Sequence, residues 1–258
     1  MIEVMNGVEK ELRNLPKELE PSKLIVFVGQ SGAGKTTITE AMGCRGVASC
    51  EILRAEVARR DLEDNHANIH AVAMNLISKD PAWQAKQVLE MVDRAQPFIF
   101  DGPRNPADIQ FLIDVRRNVE VVGVYSSRAV RYQRVLDREQ KRITKEEFMQ
   151  RCVDEVIEAG LNQCLCLATV FVFNNGNSLE KIRQNSVLLM DAIQTGDYPE
   201  VEPEFDGTMF SFERFIDGLS VPFCNSMRMR TLMTQYLGWE EEQLRRYQKG
   251  EIPLERFL

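Results

Sequence analysis

The sequence predicts an α/β fold in which a parallel sheet is covered on both faces by helices. Three observations carry that expectation. Apolar runs recur without polar alternation ("KLIVFVG", "PFIFDG", "VEVVGVYSS", "TVFVFNNG"), helical patterns lie between them, and a glycine-rich loop follows the first run. Strands buried on both faces read as continuous apolar segments, and intervening helices supply the crossovers that parallel pairing requires.

In chain order, residues 1–21 are charged, end at Pro21 and read as an N-terminal arm. A strand at 23–29 leads through the loop into a helix over 35–43. "GVASC" is a short strand candidate, followed by helices over 51–63, 66–78 and 82–95, the last two separated at Asp80-Pro81. "PFIFDG" is a strand, 106–117 a helix and "VEVVGVYSS" a strand. Helices over 128–140 and 145–167, the strand "TVFVFNNG" and a helix over 178–194 complete a domain spanning 22–195. Residues 196–258 read as a linker, rich in Pro, Gly and acidic residues, and a C-terminal extension of two or three helices.

The 258 residues suffice for a sizeable core, and 44% hydrophobic with 28% charged residues is ordinary globular composition. A net charge of −7 means that any polynucleotide contact needs a local basic patch. The first residues lack a signal-type apolar run and no segment approaches a membrane span, so a cytoplasmic protein without a membrane partner is expected. Cys44, Cys50, Cys152, Cys164, Cys166 and Cys224 lack zinc-site spacing and read as reduced thiols. His66 and His70 are spaced for one helix turn but have no third ligand, and Trp83 reads as a packing residue near the acceptor side.

Gly29, Gln30, Ser31, Gly32, Ala33, Gly34, Lys35 and Thr36 match the strand–GxxxxGK[ST]–helix pattern of a P-loop, in the context it requires. Small residues let successive amides turn toward phosphate oxygens, and the helix that follows adds its positive end. Lys35 then serves the β- and γ-phosphates, Thr36 serves Mg²⁺, and Thr37 closes the ATP-binding segment. A P-loop alone leaves kinase, switch and motor open.

Further segments carry a likeness to a family. "EILRAEVARR", "FIFDGPRNPADIQFL", "VVGVYSSRAVRYQRVLDREQ" and "FNNGNSLEKI" resemble, in that order, segments of nucleoside monophosphate kinases of the adenylate-kinase-like branch. The resemblance covers about residues 22–195. It implies a P-loop NTPase three-layer sandwich with a five-stranded parallel sheet, a short lid and a helical C-terminal extension. It also implies that Arg54 and Arg104 hold the acceptor, Asp101 stands near magnesium, Arg134 lies against the ATP base, and Arg138 reaches the transferring phosphates from the lid. Two departures stand out. The DG…PR segment is one residue shorter than in adenylate kinases, and the lid between Arg138 and Glu146 holds no four-cysteine zinc site. The shorter form is similar also to deoxynucleotide kinases, to dephospho-coenzyme-A-kinase-like proteins and to phage kinases of hydroxymethyluracil in DNA.

The chemistry has its own logic. Phosphoryl transfer is catalysed mainly by positioning and cationic stabilisation, for which arginine's fixed fork is suited. Arg131, Arg134 and Arg138 recur at helical spacings of three and four. Asp101 sits at a strand's C-terminal end, where α/β sheets keep their ligands. The expected catalytic set is Lys35, Asp101, Arg104 and Arg138, with Thr36 and Asp101 on Mg²⁺. The leading function is an ATP-dependent kinase acting on a nucleotide or nucleotide-like acceptor. A kinase of a modified base in DNA, which makes nucleic acid a substrate, and an ATP-operated switch are the alternatives. The segment "MRMRTLMTQYLGWEEEQLRRYQKGEIP" is similar to a helix-turn-helix over half the needed length, and packing against the core is the preferred reading. The oligomeric state stays open.

Overall fold

A computed structural model describes residues 22–92, 95–176, 178–199, 201, 212, 215–216, 219 and 222–257. The arm expected over 1–21 and much of the linker after Gly196 lie outside these residues. Six strands form one sheet: β1 (Leu24–Val28), β2 (Arg45–Ala48), β3 (Phe98–Asp101), β4 (Val119–Tyr125), β5 (Val170–Phe173) and β6 (Phe223–Cys224), in the order β2-β3-β1-β4-β5-β6. The first five pair in parallel, as expected. The sheet is one strand larger than expected, because β6 adds antiparallel to β5 with Phe223 opposite Val172. A two-residue strand is too short for alternation to reveal.

All five residues of β1 have zero exposure. Side chains alternate along a strand, so Leu24, Val26 and Val28 enter one core while Ile25 and Phe27 enter the other. The second core is closed by Ile38 of α1 (Lys35–Met42) and by Leu189 and Ile193 of α9 (Leu179–Thr195). The first is closed by α4 (Trp83–Met91), α5 (Pro106–Val115), α8 (Leu161–Cys166) and α10 (Met227–Gln248). Two smaller clusters join α2 (Ser49–Arg59) to α3 (His66–Lys79) through Val57, Val72 and Leu76, and α6 (Arg128–Arg138) to α7 (Lys145–Val153) through Val135, Phe148 and Cys152.

Local chemistry sets several boundaries. Asn105 caps α5 by accepting from the Ala107 amide, with Pro106 preset at the first helical position. Thr144 and Glu147 form a capping box at the start of α7. The lid is short, since Gln140 and Lys141, with φ of 54° and 61°, lie in the turn between α6 and α7.

One expected helix needs correction. Residues 145–167 are not one helix: α7 widens into a π-helical turn at Asp154–Glu158, where the Ala159 amide reaches back to the Asp154 carbonyl at 2.9 Å. Gly160, at φ 75°, then restarts the chain as α8. The C-terminal segment packs on the core, the preferred reading, and not as a helix-turn-helix. From Met227 to Gln248 it is one helix of 22 residues, capped by Ser226.

Helix α10 belongs to the core. Its Met229, Met233, Tyr236 and Leu237 are buried against the sheet, and the Tyr236 and Tyr125 hydroxyls are 3.1 Å apart. Asn162 donates to the Leu237 carbonyl at 2.9 Å. Among the described residues no helix is long and apolar enough to cross a membrane.

Candidate active site

The loop after β1 gathers the chemistry. Gly32 and Gly34 adopt φ of +80° and +94°, values that L side chains rarely take. A Cβ on Gly34 would stand 2.3 Å from Asn174 Nδ2, and one on Gly32 would stand 2.7 Å from the Arg131 carbonyl oxygen. The loop is stitched to its neighbours through the Gly32 and Ala33 carbonyls and, beyond the loop, through those of Asn174 and Gly176. Asn174 Nδ2 donates to Ala33 O at 2.8 Å, and the Arg134 guanidinium donates to Gly32 O, Asn174 O and Gly176 O at 3.2, 3.0 and 2.6 Å. Arg134 thus braces the loop's far end, beside Gly34.

Lys35 Nζ donates to the Gly29 carbonyl at 2.7 Å. Burial lowers its pKa, while the carboxylates of Asp101 and Glu155 pull the other way. Asp101 ends β3 opposite Phe27 and is itself buried. Its Oδ2 accepts from Thr36 Oγ1 at 3.3 Å. Burial raises its pKa, opposed by Lys35 and the Thr36 hydroxyl. Its Oδ1 is buried with no hydrogen-bond partner. A carboxylate oxygen so placed, next to a hydroxyl and a lysine, fits Mg²⁺, a hard cation that takes few protein oxygens and completes its octahedron with water and phosphate. Among the described residues no three His, Cys, Asp or Glu side chains gather as a metal cage.

The remaining expected residues are placed differently from one another. Arg104 stands beside this group, with Nη2 3.1 Å from Glu155 Oε1. Arg54 is exposed and pairs with Asp64 at 3.4 Å. Arg138 is exposed at the end of α6, 3.5 Å from Glu139. Arg131 does not join a cationic face: it is 1% exposed, its Nε donates to Ser126 O at 3.2 Å, and its Nη2 lies 3.6 Å from Glu240. His70 is exposed, whereas Trp83 packs with Leu53 against the buried Val57, Val72 and Leu76. All six cysteines are free thiols.

Two glutamates that sequence reasoning missed hold the loop's crest. Glu155, on the π-helical turn and 4% exposed, accepts from the Ser31 amide at 3.0 Å and from the Ser31 hydroxyl. Burial would raise its pKa, but Arg104, the Ser31 donors and Lys35 hold it below the ordinary carboxylate value. Glu240, on α10 and 2% exposed, accepts from Gln30 Nε2 at 3.2 Å and from Arg128 Nη2 at 3.0 Å. Arg131 lies between the two. Its burial would lower its pKa, and neighbouring Cys152, Glu240 and Glu155 outweigh that and raise it. A faint signal existed for both glutamates. Glu155 follows Phe148 and Cys152 at steps of four and three, and Glu240 follows Met229, Met233 and Tyr236, so each carboxylate falls on an apolar helix stripe.

No family model matches the chain. It is similar to the UPF0200 protein of Aeropyrum pernix, 29% identical over 168 residues that make up 63% of this chain and 89% of that protein. The UPF0200 protein PAE1629 of Pyrobaculum aerophilum is 28% identical over 166 residues, 62% of this chain and 92% of its own. Similar solved structures include a shikimate kinase from Acinetobacter baumannii in complex with shikimate (TM-score 0.43, 16% identity), which covers 70% of this chain and 98% of its own. A gluconokinase from Sinorhizobium meliloti (TM-score 0.42, 13% identity) covers 68% of this chain and 95% of its own.

Proposed function

We propose that this protein is an ATP-dependent phosphotransferase that moves a γ-phosphoryl group to a nucleotide or nucleotide-like acceptor. The observation that carries this reading is the convergence of Lys35, Thr36 and Asp101, with its partnerless Oδ1, under a loop whose backbone only glycine permits at Gly32 and Gly34.

The loop amides and Lys35 hold the nucleotide's phosphates, and Arg134 keeps the loop's curvature by binding its carbonyls. Thr36 and Asp101 would hold Mg²⁺, which when bound neutralises phosphate charge. Arg104 orients the acceptor from the open side, and Arg54 and Arg138 join only by leaving Asp64 and Glu139. When the acceptor atom is a phosphate oxygen no strong base is needed; when it is a hydroxyl, Asp101 takes the proton.

A switch operated by ATP is the second reading, favoured by the hydrogen bond from Gln30 of the loop to Glu240 of the C-terminal helix. Transfer of labelled γ-phosphate to nucleoside monophosphates, dephospho-coenzyme A, and plain or hydroxymethyluracil-containing DNA separates these readings. Label on a free nucleotide supports the leading one, and label on DNA moves the acceptor to a modified base. Label only in inorganic phosphate supports the switch.

A further inference from the structure

Glu155 has no part in the mechanism above, yet it is the anion nearest the loop's crest. Three donors converge on its carboxylate: the Ser31 amide at 3.0 Å, the Ser31 hydroxyl, and Arg104 at 3.1 Å. An inward amide, a hydroxyl and a guanidinium are also donors that a terminal phosphate seeks. A buried carboxylate there satisfies them internally, and it is built in by the π-helical turn that carries it toward the loop.

We propose that Glu155 is a specificity-determining residue that acts by exchange: a nucleotide's terminal phosphate binds by taking the Ser31 and Arg104 donors from this carboxylate. The inference rests on the reading of the loop as a nucleoside triphosphate site. Its consequence is selective. A diphosphate ends before those donors and leaves the Glu155 contacts in place, whereas a triphosphate competes with them and meets the carboxylate's charge. The γ-phosphate therefore adds less affinity than its donors could supply, and Arg104 is released toward the transferring group only when that phosphate arrives.

The test is calorimetric titration of the full chain with ATP and with ADP, each with MgCl₂, for wild type, Glu155→Gln and Glu155→Ala. Glutamine keeps the shape and removes the charge. The preference for ATP over ADP is expected to rise at least about tenfold in Glu155→Gln, the scale of a hydrogen bond to a charged group. Alanine also removes the anchor on Ser31, so both affinities can fall, but their ratio still moves toward ATP. An unchanged ratio in both variants, with any loss shared equally by the two nucleotides, means that Glu155 only pins the loop and overturns the proposal. Wild type that binds neither nucleotide removes the triphosphate site itself and the proposal with it. Binding without phosphoryl transfer removes the kinase reading and leaves the exchange to stand on its ratio.

Discussion

Truncating Glu240 to alanine tests whether the C-terminal helix is part of the nucleotide site. The substitution removes one carboxylate and strands three partners: Gln30 Nε2 at 3.2 Å, Arg128 Nη2 at 3.0 Å and Arg131 Nη2 at 3.6 Å. Arg131 is 1% exposed and the Arg128 side chain 12%, so neither cation can recover its hydration without opening the core. Removing one partner of a buried pair costs about 3–5 kcal/mol, because the other charge stays behind. For a chain of this size that lowers Tm by roughly 6–20 °C. Urea unfolding and thermal scans of Glu240→Ala, Glu240→Met, Arg131→Met and the double variant Arg131→Met/Glu240→Met give the comparison. The double variant should be less destabilised than the sum of its parts, since it leaves one stranded cation, Arg128, where Glu240→Met alone leaves two. A loss below about 1 kcal/mol, or strict additivity, would falsify the buried network. Gln30 adjoins Ser31, so Glu240→Ala should also weaken ATP binding in the same titrations.

Lys35→Met should abolish ATP binding and transfer while leaving Tm unchanged or higher, because the ammonium it removes is desolvated; calorimetry and a thermal scan read both. Asp101→Asn should lower Mg²⁺-dependent transfer at least about 100-fold without loss of stability, since it relieves a buried carboxylate with a partnerless oxygen. An Asp101→Asn enzyme with undiminished turnover rules out that aspartate as metal organiser and as base. Asp108 gives a pH test away from the chemistry. Burial pushes its pKa up from 3.8 to about 7, against the pull of the Ala85 amide and Asn105. The folded state thus binds this proton more tightly, its contribution is complete below pH 3.8, and it is lost as pH rises toward 7. The span corresponds to an order of 4 kcal/mol at most. Asp108→Asn should flatten that decline in a series of unfolding curves, and equal slopes in both proteins would count against a buried, protonated Asp108.

Much of the site could be read from residues in one stretch of chain. The P-loop and its strand, and Asp101 at a strand end, depend on local pattern, and the structure brings Lys35, Thr36 and Asp101 together. What escaped depends on contacts between distant segments. Glu155 meets Ser31 across 124 positions and Glu240 meets Gln30 across 210, and a carboxylate on an apolar stripe does not say which donor awaits it. Arg131 shows the same gap from the other side. Its spacing with Arg134 and Arg138 suggests a shared face, but burial sends it to Glu240 and leaves Arg138 in solvent. The π-helical turn was hidden because one extra residue in a helix does not break the hydrophobic rhythm over so short a run. Strand β6 is fixed by pairing with β5, and its two residues carry no pattern of their own.

The hydrogen bond between Gln30 and Glu240 also orders events during synthesis. The loop that holds Gln30 leaves the ribosome early, but the carboxylate that steadies it emerges more than two hundred residues later, so the nascent loop stands unsupported on that side until translation of the helix is done. On the proposed reading, a nucleotide meets a finished cradle only on a chain that has also completed its C-terminal helix.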